Sequence, residues 1–240
     1  MLFKDIFSFT SIILSISSIM PLKANAQATP FQAPFFETEK FKIYIKDPCP
    51  LYANVCDNVI YTGINKKNQQ KIMLKGATLN ESPSYNFKGY SFINQNHMYT
   101  LSPSADSKDL DTWTLTIIKK SKTTAPKIIL QENGKWNYDK GELYESKTYK
   151  FFLLNSCIEG NVSCNGMKMN VINKQNKRQI IVNTETMSRP SNYDFLGYIM
   201  TSGMFQYNLN LTFVTKPSLD VMPIKDSSNE IFSEDLIEKE

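Results

Sequence analysis

Apolar and polar residues alternate in short runs along this chain, a period of two that is typical of half-buried β-strands. In the run 41–46, Phe, Ile and Ile alternate with Lys, Tyr and Lys, and the run 149–154 has a similar character. Polar segments at 66–70, 94–96 and 121–126 separate further runs and predict the loops of β-hairpins. About seven strands are predicted in each half of the chain, enough for a small β-sandwich or β-barrel.

The chain also repeats itself at a spacing of 108 residues. With that shift and no gap, 16 of the 67 positions from 35 to 101 are identical, whereas composition alone would give about four. The match includes two cysteine pairs and the pattern Tyr-x-Phe-x-Gly-Tyr, and it loosens after Leu101, where the second copy is shorter. We therefore expect the second copy to lack a full counterpart of the predicted hairpin at 113–131.

These patterns predict an all-β fold, a tandem duplication of two small β-sandwich or barrel-like domains after a cleaved signal peptide. The expected boundaries are a signal peptide at 1–26, a linker at 27–34, a first β domain at 35–138 and a shorter second one at 142–240. The first copy is expected to close at Asn133-Gly134. The two copies are separated where charged residues and Gly141 interrupt the apolar pattern.

The N-terminal segment has the features of an export signal. Lys4 precedes an apolar run from Ile6 to Ile19, Pro21 follows it, and Ala24-Asn25-Ala26 provides small residues for cleavage after Ala26. The run is shorter than the roughly twenty apolar residues that a membrane-spanning helix needs. A periplasmic or secreted protein without a transmembrane anchor is predicted.

Four cysteines suit an oxidising compartment and allow three pairings. Because both copies repeat the same interval, we expect disulfides that join Cys49 to Cys56 and Cys157 to Cys164. A zinc site is the first alternative, although zinc ligands usually have tighter cysteine spacing or added histidines. A redox pair is the second, although such motifs place two residues between the cysteines.

The repeated tyrosines are the candidate binding residues: Tyr85, Tyr90, Tyr193 and Tyr198. If they are exposed, their rings provide a platform on which sugars stack. The favoured interpretation is packing in the core and at strand edges, with Gly89 and Gly197 permitting a bulge or a close backbone approach.

No catalytic residue, metal site or cofactor is predicted. His97 is the only histidine, is expected in a hairpin loop, and is replaced by Phe205 in the second copy. A glycan hydrolase needs only two carboxylates, so enzymatic activity stays open. One acid is kept at the same position in both copies, as Glu37 and Glu145, and we expect it to be a solvated charge at a strand end. Asp194 has no such partner, because Asn86 stands at the equivalent position.

The chain carries 27 basic and 23 acidic residues, a formal net charge of +4, and six of the acids lie in the last 16 residues. The more basic remainder is compatible with anionic glycans, lipid headgroups or nucleic acid. Because the lysines are scattered along the sequence, solvated strand faces are the favoured interpretation, and no nucleic-acid-binding module is recognisable.

The sequence thus favours an exported, non-enzymatic binding or inhibitor-type protein that acts on an envelope macromolecule or on another protein. The first alternative is a carboxylate-based envelope glycan hydrolase. The second is a structural subunit of a surface assembly, which would present an unpaired sheet edge for strand addition.

Overall fold

The computed structural model describes residues 26–27, 32–105, 107–138, 141, 143–157, 164–189, 194–212, 216–225 and 230–237. The predicted signal peptide lies almost entirely outside these residues, as does Tyr193. Within them, no helix has the length and apolar character that a membrane crossing requires.

All regular elements of the described residues are β-strands. In chain order they are β1 (Ala26–Gln27), β2 (Phe35–Glu37), β3 (Phe41–Lys46), β4 (Val59–Asn65), β5 (Lys71–Glu81), β6 (Asn86–Asn94), β7 (His97–Pro103), β8 (Thr112–Lys119), β9 (Lys127–Asn137), β10 (Leu143–Glu145), β11 (Tyr149–Leu153), β12 (Cys164–Asn165), β13 (Met167–Asn173), β14 (Gln179–Ser188), β15 (Phe195–Ser202), β16 (Phe205–Asn210), β17 (Ser218–Pro223) and β18 (Phe232–Asp235).

The first barrel is formed by β2 to β9, each paired antiparallel with the next, and it closes where β2 pairs with β9. The predicted hairpin loop at 66–70 joins β4 to β5, and the predicted loop at 121–126 lies between β8 and β9. The turn between β6 and β7 is tighter than expected, because Asn94 pairs directly with His97. His97 therefore begins a strand and does not lie in the loop.

The second barrel is formed by β10, β11 and β13 to β18 in the same neighbouring order. It is nearly closed: an isolated bridge joins Ser146 to Leu236, and the Ile237 amide donates to the Glu145 carbonyl at 2.7 Å. The short strand β1 pairs in parallel with β12. The predicted all-β fold of two tandem barrel-like domains is confirmed, while independent folding of the two ranges stays a prediction.

Two further details of the expectation were wrong, and a third is confirmed. Each barrel has eight strands among the described residues, not about seven. Strand β9 continues past Asn133-Gly134 to Asn137, where it closes the barrel. The hairpin expected to lack a full counterpart in the second copy is indeed trimmed: its equivalent is β17 and β18, since Leu219 pairs with Leu209 as Leu115 pairs with Leu101. It is shorter, with strands of six and four residues in place of eight and eleven.

Buried side chains fill both interiors. The first core is largely aromatic, with Trp113 stacked on Tyr90 at 6.1 Å between ring centroids and edge-on to Trp136 at 5.8 Å. In the second core methionines are prominent, among them Met169 and Met200, which are almost fully buried. Aromatic rings bury large areas in fixed geometries, whereas methionine adapts to irregular space.

Because consecutive strands run antiparallel, the connections of the first barrel alternate between its two ends. We call one end the joint end; it carries the connections 47–58, 82–85 and 104–111. We call the other the distal end; it carries the connections 38–40, 66–70, 95–96 and 120–126.

Candidate functional site

An ion pair fixes the two barrels to each other. Asp47 follows β3 at the joint end of the first barrel, and Arg178 lies in the β13–β14 loop of the second. The Arg178 Nε donates to Asp47 Oδ2 at 3.0 Å, and Nη2 lies 2.9 Å from the same oxygen. Both side chains are almost fully buried, with 2% and 1% exposed. Arg178 Nη1 also donates to the carbonyls of Pro50 and Ala53, so the guanidinium holds the first half of the loop after β3.

Two tyrosine hydroxyls complete the polar part of this joint. The Tyr90 hydroxyl lies 3.3 Å from both Asp47 Oδ2 and the Gln179 carbonyl. The Tyr138 hydroxyl lies 3.2 Å from Gln179 Oε1 and 3.0 Å from Asp111 Oδ1. Burial raises the pKa of both phenols far above the ordinary value, so they stay protonated and act as donors.

The loop closed by the disulfide between Cys49 and Cys56 adds a hydrogen bond and an aromatic contact to the joint. The Leu51 amide donates to Ser202 Oγ at 2.8 Å, and the Tyr52 ring lies edge-on to Phe205 with centroids 4.7 Å apart. The disulfide between Cys49 and Cys56 therefore holds a loop that belongs to the first barrel but packs on the β15–β16 turn of the second.

Beside the joint, the outer walls of the barrels enclose a cleft of about 710 Å³. On the first barrel its wall includes outward residues of β3 to β5, such as Tyr44, Ile60 and Met73. On the second it includes outward residues of β13 to β15, such as Ile181 and Thr201. Because successive side chains on a strand face opposite sides of the sheet, the neighbours of the core residues face outward and line the cleft.

The cleft carries positive charge. Lys46 lines it from the first barrel and Lys168 from the second. Asp47 also lines it, but the buried pair with Arg178 neutralises that carboxylate. Asn183, whose amide oxygen accepts from the Lys168 ammonium, adds a neutral polar group. The arrangement suits a ligand that has anionic groups and apolar faces.

Tyr85, Tyr90 and Tyr198, the candidate tyrosines within the described residues, differ widely in exposure. Tyr85 is 62% exposed in the β5–β6 turn with a left-handed φ of 54°, whereas Tyr90 is fully buried and Tyr198 is 7% exposed in the second core. Core packing thus describes Tyr90 and Tyr198, although the Tyr90 hydroxyl also reaches the joint. The structure brings neither of them together with Tyr85.

The first predicted disulfide is confirmed, with Cys49 joined to Cys56 across a Cα separation of 5.8 Å. These sulfurs lie near Asp47 in the group of potential metal ligands found among the described residues, but the disulfide consumes both thiolates. Cys157 is also disulfide-bonded. Its predicted partner, Cys164, has a side chain outside the described part of the structure, so that pairing stays a prediction.

The repeated acids form equivalent surface ion pairs. Glu37 lies 2.9 Å from Lys66, and Glu145 lies 3.4 Å from Lys174, with each lysine at the start of the β4–β5 or the β13–β14 loop. Asp194 is exposed just before β15. The duplication thus kept Glu37 and Glu145 together with their ion-pair partners.

A pair of carboxylates with opposite pKa shifts lies in the β7–β8 connection. A hydrogen bond from the Asp111 amide lowers the pKa of Asp109, and burial raises the pKa of Asp111. Asp109 Oδ1 accepts from that amide, and Oδ2 accepts from Thr112 and Lys135. These contacts are those of a structural turn, in which Asp109 has both oxygens engaged.

Sequence reasoning did not find Asp47, Arg178, Lys46 or Lys168. A signal for the first two exists in the repeat itself: Asn155 stands at the position equivalent to Asp47, and Gln70 at the position equivalent to Arg178. Charges that appear in one copy only, next to well-matched loops, are candidates for contacts between the copies.

Comparison with protein-family models, with curated proteins and with solved structures finds no match to this chain.

Proposed function

We propose that this chain is an exported, non-enzymatic binding protein that holds an anionic glycan of the cell envelope in the cleft between its barrels. The observation that carries the proposal is the pair of lysines, Lys46 and Lys168, contributed by different barrels to one cleft whose lining carboxylate, Asp47, is neutralised. The joint supports this role because it fixes the distance between the two walls.

The size and lining of the cleft fit a polymer segment. Its volume of about 710 Å³ falls within the range of roughly 300–1,000 Å³ for ligand sites. Filled barrel cores leave the outer surfaces for binding. Ile60, Met73 and Ile181 offer apolar contact to sugar rings, while the lysines attract carboxylates. The disulfide between Cys49 and Cys56 supports export, since such bonds persist in oxidising compartments.

The test uses purified peptidoglycan, whose stem peptides carry carboxylates, in a co-sedimentation assay. The wild-type protein is expected to sediment with it, and the double variant Lys46→Glu/Lys168→Glu is expected to stay in the supernatant. A matched control is Lys119→Glu/Lys127→Glu, two exposed lysines at the distal end that should leave this binding unchanged. Equal sedimentation of wild type and the cleft variant contradicts the proposal.

The carboxylate-based hydrolase is a second candidate because Asp109 and Asp111 lie two residues apart in one connection with opposite pKa shifts, although the contacts of Asp109 are those of a turn. The same peptidoglycan suspension distinguishes it. A hydrolase clears the turbidity and releases soluble fragments, and an Asp111→Asn variant would not. A binding protein leaves the turbidity unchanged.

The structural subunit is less favoured. Strand addition needs an unpaired edge, and the edges of the second sheet are joined by the Ser146 to Leu236 bridge and by the hydrogen bond from Ile237 to Glu145.

A further inference from the structure

Four aliphatic side chains lie in one row across the outside of the first barrel, and we call them the aliphatic row. Ile93 on β6 pairs with Met98 on β7, Met98 pairs with Ile118 on β8, and Ile118 pairs with Ile128 on β9. Three spacings of about 4.8 Å make the row about 14 Å wide.

The row points to solvent. Its neighbours along the strands, Phe92 and Ile117, belong to the buried core, so the adjacent residues face outward. Ile93 is 60% exposed and Ile128 is 55% exposed. A bulge opposite Ile118 adds Ile129, which is 48% exposed. Large aliphatic groups placed together in this way mark an interaction surface more often than isolated ones do.

Cations lie at the distal rim of the same four strands, one position beyond the row, where strand alternation sets the paired residues on the face opposite the row. The next paired positions are Asn94, His97, Lys119 and Lys127. The loop between the last two adds Lys120 and Lys122. All four lysines are exposed, and none forms an ion pair with the described residues. The segments 86–105 and 112–131 contain no Asp or Glu, so this wall has a single sign of charge.

The fold does not require the aliphatic row. In the second barrel the positions equivalent to Ile93 and Met98 are Thr201 and Gln206, which pair with each other in the same register. The matched strands β15 and β16 form without the row, so a purpose other than barrel stability accounts for it in the first barrel.

We propose that the aliphatic row and its bordering lysines dock on the surface of an anionic phospholipid bilayer. Lysine is depleted from protein–protein interfaces, where aromatic residues and arginine are enriched, and this wall has lysines beside aliphatic groups. At a bilayer, aliphatic side chains enter the boundary of the acyl chains while lysine stems extend to the phosphates. The cleft adjoins the joint end, so docking through the distal end leaves it open to its ligand.

The test measures binding to vesicles of phosphatidylethanolamine and phosphatidylglycerol by flotation, with phosphatidylcholine vesicles in parallel. The protein is taken from the secreted or periplasmic fraction after N-terminal sequencing has shown that the apolar segment 6–19 is absent, because that segment would itself bind lipid. We expect binding to the anionic vesicles only, weakened by salt. Lys119→Gln and Lys127→Gln should each weaken it about fivefold.

The variant Ile93→Thr/Met98→Gln, which copies the second barrel, should lose most of this binding and keep the wild-type circular dichroism spectrum. Lys225→Gln, at an exposed lysine of the second barrel outside the cleft, is the control and should bind vesicles like the wild type. Equal binding to phosphatidylcholine, absence of vesicle binding, or full binding by Ile93→Thr/Met98→Gln overturns the proposal. The peptidoglycan assay is independent, so failure here does not decide the role of the cleft.

Discussion

At the scale of single residues, the buried pair of Asp47 and Arg178 dominates the joint. Burying two charges costs several kcal/mol of solvation, which their attraction and the added hydrogen bonds offset only when the geometry is good. Here Arg178 has Asp47 and two loop carbonyls as partners, and Asp47 Oδ1 accepts from the Cys49 amide at 3.1 Å. The pair fixes orientation, because neither charge is tolerated alone.

We expect Arg178→Met to lower the free energy of unfolding by about 3–5 kcal/mol, since it leaves the Asp47 carboxylate buried without its cation. The double variant Arg178→Met/Asp47→Asn should recover much of that loss. Lys66→Met, which removes the exposed partner of Glu37, is the control and should cost about 1 kcal/mol or less. Urea unfolding of the full chain measures all three. Equal losses for the single and double variants contradict the argument.

Asp111 gives a second prediction, on pH. Burial raises its pKa above the ordinary 3.8. The folded state therefore holds this proton more tightly than the unfolded state, and the Asp111 contribution to stability falls as pH rises from the unfolded pKa through the higher folded one. Other carboxylates with lowered pKa, such as Glu234, act in the opposite direction.

Comparing the wild type with Asp111→Asn isolates this group, since the other carboxylates are common to both. As the pH is raised from about 3.5 to about 6.5, the melting temperature of the wild type should fall relative to that of the variant. Differential scanning calorimetry across this range provides the measurement. A constant difference between the two proteins would show that Asp111 titrates alike in both states.

At the scale of elements, the sequence predicted most of the first barrel because its signals are local. Alternation located β3 and β4, and polar loops located the hairpins. The repeated Gly89 and Gly197 were expected to permit a bulge, and this is confirmed: Lys88 is the extra residue of a bulge in β6 beside Gly89, and Leu196 is the extra residue of a bulge in β15 beside Gly197. Their φ values of 134° and 141° are accessible mainly to glycine.

Gly89→Ala is expected to destabilise the protein markedly. Its backbone conformation alone would cost about 1–3 kcal/mol with a side chain, and the new Cβ would overlap the Leu101 carbonyl oxygen on β7. Gly166→Ala is the matched control: it has a positive φ of 83° but nothing within 4 Å of a Cβ, so its loss should be the smaller. Thermal melting compares the two, and a larger loss at Gly166 would refute the role of close approach.

Other elements could not be read from the pattern. The last hairpin of the second barrel is shorter, as expected, but the gap in the alignment left the correspondence of its residues loose. Strand register shows the correspondence through Leu219 and Leu115, and register depends on pairing between strands. The closing strand β9 was ended too early because Asn133 and Gly134 resemble a turn, whereas pairing with β2 and β8 keeps them in the strand.

At the scale of the whole molecule, the sequence could not locate the cleft or the joint. Asp47 and Arg178 are 131 residues apart, so no local pattern connects them. The lysines were interpreted as scattered because they are dispersed along the chain, yet strand pairing sets Lys119 beside Lys127 and His97. Strand register and barrel closure decide which charged residues become neighbours, and neither can be read from the order of residues along the chain.

The joint also bears on whether the barrels are independent. The first barrel is closed by its own strands, contains both tryptophans in its core and has its own disulfide. Among the described residues, the second is closed only by the bridge between Ser146 and Leu236 and the hydrogen bond from Ile237 to Glu145. In the second barrel, Ile172 pairs with Gln179 and faces away from the core. Only 1% of its surface is exposed, so it is buried on the outside of that barrel. Because Tyr90 and Tyr138 of the first barrel contact Gln179, which pairs with Ile172, we expect loss of the first barrel to expose Ile172.

Residues 35–138 expressed alone should therefore fold into a β-rich unit with a cooperative thermal melt, while residues 142–240 alone should be marginally stable or aggregate. Circular dichroism and thermal melting of each fragment, beside the full chain, measure this. Replacing Ile172 by Thr in the second fragment should reduce its aggregation without making its melt cooperative, because the weakness lies in closure as well as in exposed apolar surface. A first fragment that is unfolded alone but ordered in the full chain would show that the joint is required for folding, and that the two copies form one cooperative unit.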